Sequence, residues 1–332
     1  MNILEIDCSS LIWEGMMKRI RWIRVLLMVV LAFVVSAYAY FVWDFSDIIL
    51  STPQTSLLEA TMSQAGQGRP SDPLDVGLPE PEEIRLVLAG AELHGWYFEN
   101  PADAQCGVML LHGRFQTRLE MLSYAPLYWE RGCDIIMYDA RSHGDSLGQY
   151  VTWGYHERQD ALAVLDWFMQ RSGLRVEQIG MMGASFGAAT SLLTVALEPE
   201  LAFVAADSPF ASLSQLLNEQ ASNLYGEFVR ASFTGPSLWL AGVRGDFQPD
   251  EVAPATTIQE IAPPVFLLHA RKDSVIPVHH AEIIFSNADP NKTVLHITDW
   301  GAGHVASIRV DFAAYQALMD DFLATHVPDF GE

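Results

Sequence analysis

The chain has 332 residues and carries 19 Lys plus Arg against 41 Asp plus Glu, a formal net charge of −22. Half of its residues are hydrophobic, which excludes a mostly disordered chain and is enough for a sizeable core. The acidic balance argues against nucleic acid as a partner, since phosphate binding needs clustered Lys and Arg, and three cysteines exclude a disulfide-built mini-scaffold or a Cys-rich zinc protein.

The N-terminus is a different kind of sequence. Lys18, Arg19, Arg21 and Arg24 stand directly before an uncharged run, Val25 to Trp43, and Asp44 and Asp47 follow it. At 1.5 Å per residue that run makes about 28 Å of helix, close to one bilayer core. Residues 25–43 are therefore expected as a transmembrane helix or signal anchor. Residues 1–24 would be its basic cytoplasmic flank, with everything after Trp43 outside, in the periplasm or beyond. A cleaved signal peptide is the competing reading, because Ala37-Tyr38-Ala39 fits the small-x-small cleavage pattern and would leave a secreted protein. A start at Met17 would give a compact basic leader. Residues 44–81 read as a linker, with Pro53, Pro70, Pro73, Pro79 and Pro81 and little periodicity.

Residues 82–332 are expected as one catalytic domain. The stretch 83–99 alternates and turns at Ala89-Gly90, a β-hairpin. Short apolar runs follow at Val108–Leu111, Asp134–Tyr138, Ile179–Met182, Phe203–Ala206, Val265–His269 and Thr293–Ile297. Amphipathic stretches such as Tyr155–Gln170 and Ala188–Ala196 lie between them. Strand–helix alternation of this kind predicts an α/β fold, a mostly parallel sheet with helices on both faces. Ala306–His326 has the spacing of a final helix packed on that sheet. Leu213–Tyr225 and Ser237–Val243, within 211–263, predict a small helical lid.

The chemistry concentrates at Gly183-Ala184-Ser185-Phe186-Gly187. This G-x-S-x-G follows an apolar strand and opens a helix. A serine on so sharp a turn needs neighbours at −2 and +2 that are nearly free of side chain. The helix then aims free N–H groups at an oxygen that becomes negative during acyl transfer. A serine hydroxyl needs a base, and the base needs an orienting acid. Asp273 and His304 follow in that order, each just past a strand end, where ligands bind in open α/β sheets. Asp207 is a rival acid or a helix cap. His279 and His280 look solvated. The backbone N–H groups of Phe186 and Arg114 are the expected oxyanion donors. The Arg114 side chain reads as a solvent-exposed residue on a loop rim.

His112-Gly113, Asp139 through Ser146, Gly183 through Gly187, Asp273 and His304 together resemble the alpha/beta-hydrolase superfamily. Within it the chain is similar to the serine aminopeptidase-like group of bacterial hydrolases, many of which have an N-terminal membrane segment. The resemblance covers about residues 82–328. It implies an eight-stranded sheet, no cofactor or metal, and Ser185, Asp273 and His304 as nucleophile, acid and base. It implies a membrane-anchored serine hydrolase acting on carboxylic esters through an acyl-enzyme. A peptidase or amidase with the same residues, and a non-catalytic binding module on the fold, are the alternatives. The Asp139–Ser146 loop is then a structural wall of the pocket. In the family's sheet the strands after Cys106 and Cys133 are neighbours. The two cysteines would lie level and compatible with a disulfide, with two buried free thiols as the favoured reading.

Overall fold

The computed structural model describes residues 8–331 apart from Asp103. β1 (Glu82–Leu88) and β2 (Ala91–Phe98) form the expected hairpin, with Gly90 at φ +83° in its turn. β3 (Gly107–Leu111), β4 (Asp134–Tyr138), β5 (Ile179–Ala184), β6 (Phe203–Asp207), β7 (Val265–Ala270) and β8 (Thr293–Thr298) complete the sheet. Its order is β1-β2-β4-β3-β5-β6-β7-β8. From β4 to β8 every pairing is parallel, while β2 runs antiparallel to both its neighbours. A two-residue strand, Leu147–Gly148, pairs with β2 and adds a ninth piece off this path.

β3 to β7 are buried at every position, which is why they read as unbroken apolar runs and not as alternating ones. Alternate residues feed two cores. Val108, Leu110, Phe203 and Phe266 pack with α8 (Phe312–His326) on one face. Met109, Leu111, Val204 and Leu267 pack with α3 (Glu157–Ser172), α4 (Phe186–Val195) and α7 (His279–Asn287) on the other. The register levels the strand ends: Leu111 lies beside both Tyr138 and Gly183, and Ala184 beside Asp207. The loops carrying His112, Ser185, Asp207, Asp273 and His304 therefore open on one edge.

Three expectations change. The final helix is not continuous: it breaks at Asp311, whose carboxylate accepts the Ala314 N–H and caps α8, leaving Val310 half exposed. The segment from Asp44 to Pro81 is not a trailing linker. α1 runs from Cys8 to Leu50, past the apolar run, and its end enters the fold with Ser46, Ile49 and Leu50 buried. α2 (Leu57–Gly66) follows, started by a capping box in which Ser56 Oγ accepts from Glu59 N and Glu59 accepts from Ser56 N. A local capping box and buried Ala60 outweigh the flexible composition around them. Finally, Cys106 and Cys133 are disulfide-bonded, with Cα atoms 4.6 Å apart, because they directly precede the paired starts of β3 and β4.

Candidate active site

Ser185 occupies the turn between β5 and α4 at φ +53°, ψ −114°, a conformation that side-chain-bearing residues rarely adopt. The two flanking glycines let it form. A Cβ on Gly183 would collide with the Gly187 carbonyl, and a Cβ on Gly187 with the Leu111 carbonyl. The turn is anchored by Ser185 N donating to Asp207 O at 2.8 Å.

Ser185 Oγ lies 2.8 Å from His304 Nε2, and His304 Nδ1 lies 2.6 Å from Asp273 Oδ2. A neutral His304 ring that satisfies both contacts carries its proton on Nδ1 and accepts from the serine hydroxyl. Val305, next in the chain, is a β-branched residue at φ +50°, so backbone strain is stored beside the base as well as at the serine. Asp273 Oδ1 accepts two backbone N–H groups, from Val275 and Ile276, each at 2.9 Å. Burial pushes its carboxyl up. Hydrogen bonds from His269, His304 and Ile276 outweigh burial and hold it well below the usual carboxylate range.

His269 was not singled out by the sequence. Its Nε2 donates to Ile276 O at 2.7 Å and lies 3.3 Å from Asp273 Oδ2, so one N–H braces the loop and the acid together. Its place four residues before Asp273, at the end of β7, is a signal only once that strand is known to end there.

Asp207 does not touch the base. Its carboxylate accepts from Tyr124 and Ser208 hydroxyls at 2.8 Å and from Tyr315 at 3.3 Å, deep under the site, where burial pushes its pKa up. It does not cap the next helix either; Ser212 does, accepting from Gln215 N. His280 is not solvated. It is fully buried, accepts the Ala211 N–H on Nδ1, and faces Glu219 with Nε2. Glu219 also meets His279. These three residues form a compact His/Glu group, but Nε2 of His280 must keep its proton while Nδ1 accepts, which does not fit a metal ligand.

The loop after β3 carries the other expected donor. Gly113 N donates to the buried Glu120 carboxylate at 2.7 Å, and a Cβ on Gly113 would lie 3.4 Å from Ser185 Cβ. Arg114 therefore stands beside the serine, and Phe115 follows at φ +65°. The Arg114 side chain is not a solvent-exposed rim residue. Its Nη2 donates to Ile48 O at 2.8 Å and Ser51 O at 2.7 Å, capping the C-terminal end of α1, and the guanidinium stacks on Trp153 at 4.2 Å. Trp153 Nε1 reaches Ile49 O at 2.9 Å. The end of α1 is thus tied to the loop beside the nucleophile. Asp139 holds the neighbouring loop, accepting from Arg118 N at 2.7 Å and from Asp145 N at 3.0 Å. His112 and His143 are buried, which pulls them down to about 4 and about 3, and both stay neutral near neutral pH.

The segment expected as a lid is helical. α5 (Leu213–Tyr225), a π-turn at Arg230–Thr234 and α6 (Gly235–Gly245) pack against the last turns of α1. Arg244 pairs with Asp47 at 2.7 Å and covers Trp43. Tyr38 donates to Ser232 O at 2.8 Å, and its ring meets Phe233 at 5.0 Å.

Strand order 1-2-4-3-5-6-7-8, a strained serine on the turn after β5, and a histidine after β8 within reach of it define the class: the chain has the alpha/beta-hydrolase fold. The family model for X-Pro dipeptidyl-peptidase (S15 family) matches residues 100–237, a stretch that includes Ser185 but neither Asp273 nor His304. Among curated proteins, the chain is 29% identical over 240 residues to the uncharacterized protein YqkD of Bacillus subtilis, covering 70% of this chain and 76% of that one. It is 27% identical over 205 residues to the mouse lysophosphatidylserine lipase ABHD12, covering 60% of this chain and 49% of the relative. Among solved structures, the Pyrococcus furiosus esterase Pf2001 superposes with a TM-score of 0.65 at 22% identity, covering 84% of this chain and 98% of that one. Pyrococcus horikoshii acylaminoacyl peptidase superposes at 0.59 and 17% identity, covering 76% of this chain and 43% of that one. Esterase-type and peptidase-type hydrolases are both represented among these similar proteins.

Proposed function

We propose that the chain is a serine hydrolase that cleaves carboxylic esters through an acyl-enzyme, with Ser185 as nucleophile, His304 as base and Asp273 as orienting acid. The observation that carries this reading is the continuous relay from Ser185 Oγ through His304 to Asp273, at 2.8 and 2.6 Å.

Ser185 Oγ attacks the ester carbonyl carbon while its proton passes to His304 Nε2. The carbonyl oxygen becomes an oxyanion, received by the N–H groups of Phe186, at the N-terminus of α4, and of Arg114. Asp273 stays ionised and stabilises the imidazolium. Collapse breaks the bond to the alkoxy group, which takes the proton from Nε2 and leaves as the alcohol. Water then repeats the sequence on the acyl-enzyme: its proton goes to His304, and the acid is released as Ser185 regains a proton. No step calls for a metal or cofactor.

A peptidase acting with the same residues is the second reading, favoured by the family-model match. An amide demands better protonation of its leaving group and a subsite for the substrate's terminus, and no sequence signature for such a subsite stands out. The full chain, purified in detergent, is assayed on p-nitrophenyl esters and aminoacyl p-nitroanilides. Ester hydrolysis at least about a hundredfold faster in kcat/KM is expected, a difference near 2.7 kcal/mol in transition-state binding. Faster anilide cleavage would replace the esterase reading with the peptidase one.

α1 is read as the membrane anchor, N-terminus inside and catalytic domain outside the cytoplasm. It contains the uncharged run from Val25 to Trp43, and almost none of its most apolar window is buried in the protein. A bonded Cys106–Cys133 pair supports an oxidising compartment. The docking of Tyr38 and of the helix end beyond it supports a retained anchor over a cleaved leader.

A further inference from the structure

The end of α1 and the lid enclose an apolar pocket lined by Phe45, Ile48, Leu217, Ala221, Leu224 and Phe233 among others. Arg114 links its wall to the loop beside the site: the Ile48 carbonyl accepts from Arg114, and Arg114 follows Gly113, where an added Cβ would lie 3.4 Å from Ser185 Cβ. The lining is mostly aliphatic and aromatic, with Gln220, Thr234 and Ser237 as its neutral polar members, and it carries no charge. The helices that carry it also expose apolar side chains: Leu224 and Phe228 are 72% and 77% exposed, and Trp239 on α6 is 69% exposed. A soluble protein rarely leaves so much apolar surface together without a partner.

The depth of the lid identifies that partner. Phe233 packs on Tyr38 and on Phe41 at 6.2 Å, and both belong to the last turns of the apolar run that would cross the bilayer. Tyr38, Tyr40 and Trp43 cluster at the outer end of that run, the composition of a membrane–water interface. The lid therefore stands at headgroup level, with Phe228 and Trp239 available to the acyl region.

Resting on the serine-hydrolase reading and the anchor, we infer that this pocket holds the acyl chain of a lipid ester drawn from the membrane that α1 crosses. The substrate is then an amphiphile with a long aliphatic acyl group. Its chain lies between α1 and α5, and its carbonyl lies at Ser185. α1 forms part of the substrate site as well as tethering the enzyme.

The test uses the full chain in nanodiscs. p-Nitrophenyl esters from acetate to palmitate are compared in wild type and in Ala221→Trp, with Ala221→Phe as the milder variant. Reaction of Ser185 with a fluorophosphonate is followed in every sample as the measure of an intact site. Each methylene that reaches the pocket gains up to about fourfold in kcat/KM. Either variant is expected to lower the palmitate-to-acetate ratio at least tenfold while fluorophosphonate still reacts. If Ser185 reacts and acetate is cleaved, but the ratio is the same in all three proteins, the acyl-chain assignment is overturned and the hydrolase reading stands. If Ser185 does not react in wild type, both fall.

Discussion

At the scale of single residues, the two buried aspartates differ in what they touch. Asp273 faces His304, whereas Asp207 is spent on two tyrosines and a serine. Asp273→Asn should lower kcat by about 10⁴-fold, because the base then loses its tautomer and its counter-charge. Asp207→Asn should cost less than about tenfold, and steady-state kinetics that reverse this order would transfer the acid's role. His269→Ala should cost on the order of tenfold in kcat, the size of one net hydrogen bond. His269→Asn, which restores an N–H, should recover part of it; an unchanged kcat in the alanine variant would show that Val275 and Ile276 fix Asp273 unaided. The pH dependence of stability follows in sign. Asp273 is depressed in the folded state, so its contribution is complete above the unfolded value of about 3.9 and is lost as pH falls through the folded value. Acid unfolding of Asp273→Asn, followed by circular dichroism, should be shallower below pH about 4 than that of wild type. An identical slope would contradict the depressed carboxyl. The serine, the histidine and Asp273 were legible because each combines a residue type with a place just after a strand. His269 was not, because a histidine inside an apolar run looks the same whether it faces the core or an acid.

At the scale of elements, the strands were legible almost to the residue, since a strand buried on both faces is a short apolar run and little else. The docking of 44–81 was not. Its prolines and small polar residues have the composition of a tether, and what orders it is distant: Arg114, Trp153 and Arg244 come from three other parts of the chain. Arg114→Ala keeps the backbone N–H but removes the cap on α1. It should cost about 2 kcal/mol or more of stability and expose Ser51–Thr55 to limited proteolysis. Unchanged proteolysis would show that Trp153, together with the Val151 N–H that donates to Leu50 O at 2.8 Å, holds the helix end without it. The disulfide joins the starts of two adjacent strands across 27 residues, and opening it should cost about 3–4 kcal/mol by the chain-entropy relation. A thiol count on denatured, unreduced protein should find one thiol among the three cysteines. Three would mean that the pair is reduced and would remove its support for an oxidising compartment.

At the scale of the whole molecule, the excess of acidic residues lies beyond Trp43, while the basic cluster stays before it, and this asymmetry accords with an outward-facing domain. One helix, proposed as the anchor, packs against α6 and ends on the loop that carries Arg114. In the proposed reading the anchor helix, the lid helices and the Arg114 loop are tied together by Arg114, Arg244 and Tyr38. The central claim is that Ser185 is an activated nucleophile. It is tested most directly by treating the full-length protein with a fluorophosphonate and mapping the adduct by peptide mass spectrometry. One adduct per chain on Ser185, abolished in Ser185→Ala and slowed at least about a thousandfold in His304→Ala, is the predicted result. An unmodified Ser185, or equal modification of wild type and Ser185→Ala, would contradict it.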